Sequence, residues 1–172
     1  MGKINKTPDF LKMATTLKKD VVRYAAVAGV NFFQDSFQNQ GFTDEFYEAW
    51  DKRKNDVDPG RNVLVKSSFL LNSIQVFDKN EKRITFGSDA EHAEIHNNGG
   101  TIKITITKKA RRYFWLMFKV TGATTWKAMA LTKKTSITIT IPKRQFIGES
   151  KTFLKELDTW IITEILKRFK NL

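Results

Sequence analysis

The stretch GSDAEHAEIHNNGG, Gly87–Gly100, carries both histidines of the chain and ends in a glycine pair. Its reading decides between a reactive centre and a piece of architecture. Glycine pairs let the backbone turn through positive φ without a side-chain penalty. TIKITIT, residues 101–107, follows at once, with Ile102, Ile104 and Ile106 on one face. SITITIP, residues 136–142, repeats that alternation at Ile137, Ile139 and Ile141. Both runs are β-branched and of period two, the pattern of half-buried strands. Gly99 and Gly100 thus offer a turn just before the strand that begins at Thr101.

Outward from there the pattern turns helical at both ends. Thr7-Pro8-Asp9 is a helix start, with Thr as N-cap, Pro at the first helical position and a carboxylate near the positive pole. Phe10, Met13, Leu17, Val21, Tyr24, Ala28 and Phe32 then recur at three- and four-residue spacing. They predict a long amphipathic helix to about Gln40, with Gly41 as its stop. Gly41 to Gly60 reads as a polar loop with a turn at Asp58-Pro59-Gly60. Residues 62–88 read as a helical turn and two strands joined by a loop at 78–82. Ser150 is placed to cap a C-terminal helix whose apolar stripe includes Phe153, Leu157, Trp160, Ile161, Ile165 and Phe169. The expected fold is α+β: an antiparallel β-sheet with long N-terminal and C-terminal amphipathic helices packed on it.

The histidines supply little chemistry. His92 and His96 are four apart, but the order is not His-Glu-x-x-His, so the zincin arrangement of base and ligands is absent. Without a cysteine there is no thiolate zinc site and no cysteine nucleophile. No phosphate-binding glycine loop, nucleophile elbow or dinucleotide fingerprint appears. Asp56 and Asp58 do not continue into a calcium loop. These readings predict no catalytic residue, no cofactor and no metal, and a protein that is not an enzyme. His96 is expected to hydrogen-bond to local backbone.

The 172 residues, 41% of them hydrophobic, suffice for one globular domain over 1–172. No signal peptide or membrane span is read. The net charge of +12 permits a polyanionic partner, and its distribution is uneven. From Ile95 to Gly148 there is no Asp or Glu. Between the two isoleucine runs lies Lys108–Lys134, a basic aromatic insertion or long hairpin at about 108–134. It is either a flap whose aromatics fill the domain's own core or a projecting arm buried only against a neighbour. Lys108, Lys109, Arg111, Arg112, Tyr113, Phe114, Trp115 and Trp126 are its candidate interface or polyanion contacts. Cations interleaved with aromatics also suit single-stranded nucleic acid, and a basic nucleic-acid-binding module is the alternative reading.

Four motifs, taken in order, carry a resemblance. Trp50 with Lys52-Arg53, and Leu64-Val65-Lys66-Ser67-Ser68-Phe69-Leu70-Leu71-Asn72-Ser73-Ile74, are similar to "Trp … Leu-x-x-Ser/Thr-Gly-x-Leu-x-x-Ser-Ile". Gly87-Ser88 with Ala93 to Gly100 resembles "Gly-Ser … Tyr-Ala-x-Ile-His-Gln-x-Gly-Gly". Ile141 to Gly148 resembles "Ile-Pro-Ala-Arg-Pro-Phe-Leu-Gly". Together they resemble the phage virion morphogenesis, or tail-completion, family. Four substitutions depart from its pattern: His92 for tyrosine, Asn97-Asn98 for Gln-Phe or Gln-Trp, Ser68 for glycine, and Gln145 for proline. The resemblance implies a structural virion protein of a tailed phage or prophage, acting in tail completion or head–tail joining. It implies a homo-oligomeric ring, other phage tail or neck proteins as partners, and residence in the virion after assembly in the host cytoplasm. DNA contact is a further partner that the charge allows. The resemblance also implies that the histidine stretch is a strand ending at His96 and a turn, and His96, Gly99, Gly100, Pro142, Arg144, Phe146 and Gly148 become motif residues with structural roles. Arg144 is expected to hold the corner between the last strand and the C-terminal helix through carbonyl oxygens, or to contact an adjacent subunit.

Overall fold

The computed structural model describes residues 9–53 and 60–170. The Thr7-Pro8 helix start, Asp56 and the Asp58-Pro59 turn lie outside the described residues. The chain divides into two compact units, Met1–Asn98 with Lys143–Leu172, and Gly99–Pro142.

In the first unit α1 (Phe10–Asn39) begins at Asp9, whose carboxylate accepts from the Lys12 amide at 2.9 Å. Its left-handed stop is Gln40, at φ 57°, rather than Gly41. Gly41 is needed for a different reason: a Cβ there would lie 2.4 Å from the Tyr47 ring and 2.5 Å from the Glu48 carbonyl oxygen. Gly41 opens β1 (Gly41–Thr43), which pairs antiparallel with β2 (Tyr47–Ala49). The expected polar loop therefore starts as a small hairpin. A four-residue helix α2 (Phe69–Asn72) precedes β3 (Ile74–Lys79) and β4 (Ile84–Ser88), an antiparallel pair.

Helix α1 has two apolar faces for two neighbours, which one periodic pattern did not separate. Along its C-terminal half Ala25, Ala26, Gly29, Phe33 and Phe37 are buried. Gly29 lets the β4 residue Phe86 approach so closely that a Cβ would meet its ring at 2.3 Å. α1 also meets α6 (Lys151–Lys170) along its length: Tyr24 stacks on Trp160 at 4.0 Å, Phe10 faces Phe169 at 6.4 Å, and Phe32 and Phe33 face Phe153 at 5.3 and 6.3 Å. Arg168 clamps this pair, donating to Asp20 at 2.6 Å, to Glu164 at 3.2 Å and to the Met13 carbonyl at 3.4 Å. Ser150 caps α6 as expected: its Oγ accepts from the Phe153 amide at 3.1 Å and donates to the Thr43 carbonyl at 2.8 Å.

The core of this unit joins Phe33, Phe37, Phe42, Trp50, Leu70, Ile74, Ala90, Ala93 and Phe146. Phe37 and Phe146 are fully buried, with ring centroids 5.1 Å apart. Burial of each such ring contributes roughly 2–3 kcal/mol.

The second unit is a two-stranded ribbon carrying a helical hairpin. β5 (Gly100–Thr105) pairs antiparallel with β6 (Ser136–Ile141), placing Ile102 opposite Ile139 and Ile104 opposite Ile137. Between them run α4 (Lys108–Thr121) and α5 (Thr124–Leu131), turning at Gly122 with φ 69°. The segment expected as a flap or arm is thus helical, because Thr107 caps it (Oγ1 accepts from Ala110 N at 3.1 Å) and Gly122 stops it. The strands form three separate ribbons rather than one sheet. Among the described residues no helix is long and apolar enough to cross a membrane.

Candidate functional site

The histidine stretch is not the expected strand. Ala93–Asn98 form a short helix, α3, and Gly99 then turns at φ 71°. Helical geometry places His92 and His96 one turn apart, with ring centroids 5.7 Å from each other, and His92 stacks on Phe69 at 5.9 Å. They border an open cleft of about 260 Å³ with Arg53, Arg61, Lys66 and Ser67. Among the described residues no carboxylate lines it, and no group of three or more histidines and carboxylates that could hold a metal occurs. Burial, then the neighbouring His92 and Arg144, lower the His96 pKa from its ordinary value of 6.5. The expected side-chain bond from His96 to backbone is not formed; Nδ1 is buried without a hydrogen-bond partner among the described residues. Its carbonyl is used instead, accepting from the Arg144 amide at 2.8 Å.

That bond belongs to a node where the sequence motifs meet. The Arg144 guanidinium is buried and donates through Nε and Nη2 to the Asp51 carbonyl oxygen, at 3.1 and 2.8 Å. Burial lowers its pKa, with Asp51 opposing and Arg53 adding to the effect. Asn97 Oδ1 accepts from both the Phe146 and Ile147 amides at 2.9 Å. Trp50 Nε1 donates to the Gln145 carbonyl at 2.8 Å, and Phe37 packs edge-on against Trp50 at 5.3 Å. Ser73 and Ser88 hydroxyls bond at 2.6 Å. Arg144 thus donates to a carbonyl oxygen, but the one it meets is that of Asp51 and not one from the last strand or the C-terminal helix. The double acceptor Asn97 carries no local sequence signal, because its two donors lie 49 and 50 positions away. Pro142 follows the last residue of β6, and Gly148 lies between Phe146 and the Ser150 cap.

In the second unit the basic and aromatic candidates divide by role. Arg111 is structural: its guanidinium donates to the carbonyls of Ala130, Thr132 and Lys134, closing the end of α5. Phe114 and Trp126 stack at 6.0 Å and are half-buried between α4 and α5. Lys108, Lys109, Arg112, Tyr113 and Trp115 are exposed, as are Leu116 and Val120, at 56% and 72%. The unit holds seven lysines and two arginines and no Asp or Glu, nine of the chain's twelve net positive charges.

No protein-family model, curated protein or solved structure matches this chain.

Proposed function

We propose that the protein is a structural assembly subunit of a tailed phage or prophage, acting in tail completion or head–tail joining as a closed ring of identical copies. The observation that supports this best is Ser68. It stands where the resembled motif has glycine, and it holds φ 53°, a left-handed conformation that favours glycine. A second departure is equally coherent. The corner hydrogen bonds use the amides of residues 144, 146 and 147 and pass over Gln145, whose place the motif gives to proline, a residue without an amide hydrogen. Motif residues far apart in sequence thus meet as supports for backbone, which suits an architectural part.

A ring needs a heterologous interface, one surface meeting a different surface on the next copy. The edge of α4 formed by Tyr113, Leu116 and Val120, left exposed within its own chain, is the surface we assign to it. Light scattering over a range of concentrations tests the reading. One fixed multiple of 19.9 kDa is expected, seen as rings by electron microscopy. A monomer at every concentration, or an open-ended polymer, would remove the ring. Capsid, portal and tail genes alongside would support the phage assignment, and a metabolic operon would remove it.

A further inference from the structure

We infer that a second edge of α4, formed by Lys108, Arg112, Trp115 and Lys119, is a contact for single-stranded nucleic acid. These residues are spaced i, i+4, i+7 and i+11 and share one helix face. All four are exposed, Trp115 at 37%. With 1.5 Å of rise per residue, the edge runs roughly 16 Å. The unit contains no carboxylate to neutralise these cations. Arg111 is committed to carbonyls and Lys127 lies over the Phe118 ring at 5.7 Å, whereas no bond or ring contact engages Lys108 or Lys119 among the described residues. The edge therefore offers three cations to a phosphate backbone and, between them, the part-exposed ring of Trp115, which meets Phe118 edge-to-face at 6.1 Å, to a base. Single-strand binders combine those two elements. A duplex hides its base faces, so Trp115 favours single strands. The contact does not depend on the phage assignment or on a ring.

The test uses the full chain and a fluorescent oligothymidylate of about 20 nucleotides, long enough to cover such a site. Three phosphate contacts predict a slope of log affinity against log salt near −2, about a 20-fold loss between about 50 and 200 mM salt. K108Q/R112Q/K119Q should flatten that slope and weaken binding, while K12Q/K18Q/K19Q, an equal charge change on α1, should leave both nearly unchanged. W115A should weaken binding about tenfold through lost stacking and keep the slope. Circular dichroism and light scattering on the same samples separate loss of binding from loss of fold or of oligomer. Equal effects of the two triple variants would overturn the inference, because net charge alone would then explain binding. Insensitivity to W115A would overturn it also. So would tight binding to phosphatidylserine vesicles with none to oligothymidylate, which would mark the edge as a lipid contact.

Discussion

Ser68 carries a conformational cost at a position without a side-chain cap bond. A left-handed residue with a Cβ costs roughly 1–2 kcal/mol, and glycine's extra freedom in the unfolded chain returns part of that. Ser68→Gly should therefore raise stability by about 0.5–1 kcal/mol in urea denaturation; a loss would show that the hydroxyl itself holds the turn. Asn97 works in the opposite sense. Asn97→Ala strands two amide donors and should cost about 2–3 kcal/mol, whereas Asn97→Asp keeps the acceptor and should cost less. His96 adds a pH dependence. Its folded pKa is depressed, so the unfolded chain binds the proton more readily. The stability held above the ordinary value of 6.5 is lost as pH falls through the lowered folded value. The melting temperature of the parent should drop more steeply on mild acidification than that of His96→Gln. Proton NMR should place the His96 titration nearer its ordinary value in His92→Gln, since the neighbouring imidazole adds to the effect of burial.

Helix α4 is the element whose composition conflicts most with its fold. Lys108 and Lys109 occupy its first turn, at the positive pole, with no acidic residue there. Lys109→Glu should stabilise the second unit by about 0.3–1 kcal/mol, read as a later loss of helical signal on heating. On the neighbouring edge, Leu116→Asp with Val120→Asp should abolish self-association while leaving helicity intact, because neither side chain is buried. How legible an element was followed from how many neighbours it serves. α6, β3, β4 and the isoleucine ribbon show one pattern each and were readable as elements, although Ile102, Ile104 and Ile139 are exposed where half-burial is expected. α1 serves two neighbours, and its core face at Ala25, Gly29, Phe33 and Phe37 was hidden beside the more apolar stripe that meets α6. β1 and β2 are three residues each, too short for periodicity to register. The Lys108–Lys134 segment is marked by its caps at Thr107 and Gly122 rather than by its bulk composition. α3 defeated the strand reading because Ala93–Asn98 offers only six residues before the glycine turn. At the node, sequence suggested carbonyl partners for Arg144 but not Asp51, which lies 93 positions away. The Asn97 double acceptor depends on residues 49 and 50 positions away, which no local pattern encodes.

At the scale of the whole molecule, Gly100 and Ile141 are register partners, so the chain leaves and returns at neighbouring points of one ribbon. Replacing residues 101–140 by an Asn-Gly turn should leave the first unit folded, since its core cluster draws on no residue between Gly99 and Pro142. Cooperative urea unfolding with a buried-tryptophan signal is the expected result, and a molten or aggregated product would show that the two units fold together. The shortened protein should also leave a cation exchanger far earlier, having lost nine positive charges and no negative ones.

The four tryptophans fall two to each unit, and this gives the molecule a built-in pair of optical reporters. Trp50 is enclosed and hydrogen-bonded, and Trp160 lies flat on Tyr24; Trp126 is stacked on Phe114 and Trp115 is open to water. Single-tryptophan derivatives would therefore emit at distinguishable wavelengths, and iodide would quench the Trp115 signal before any other.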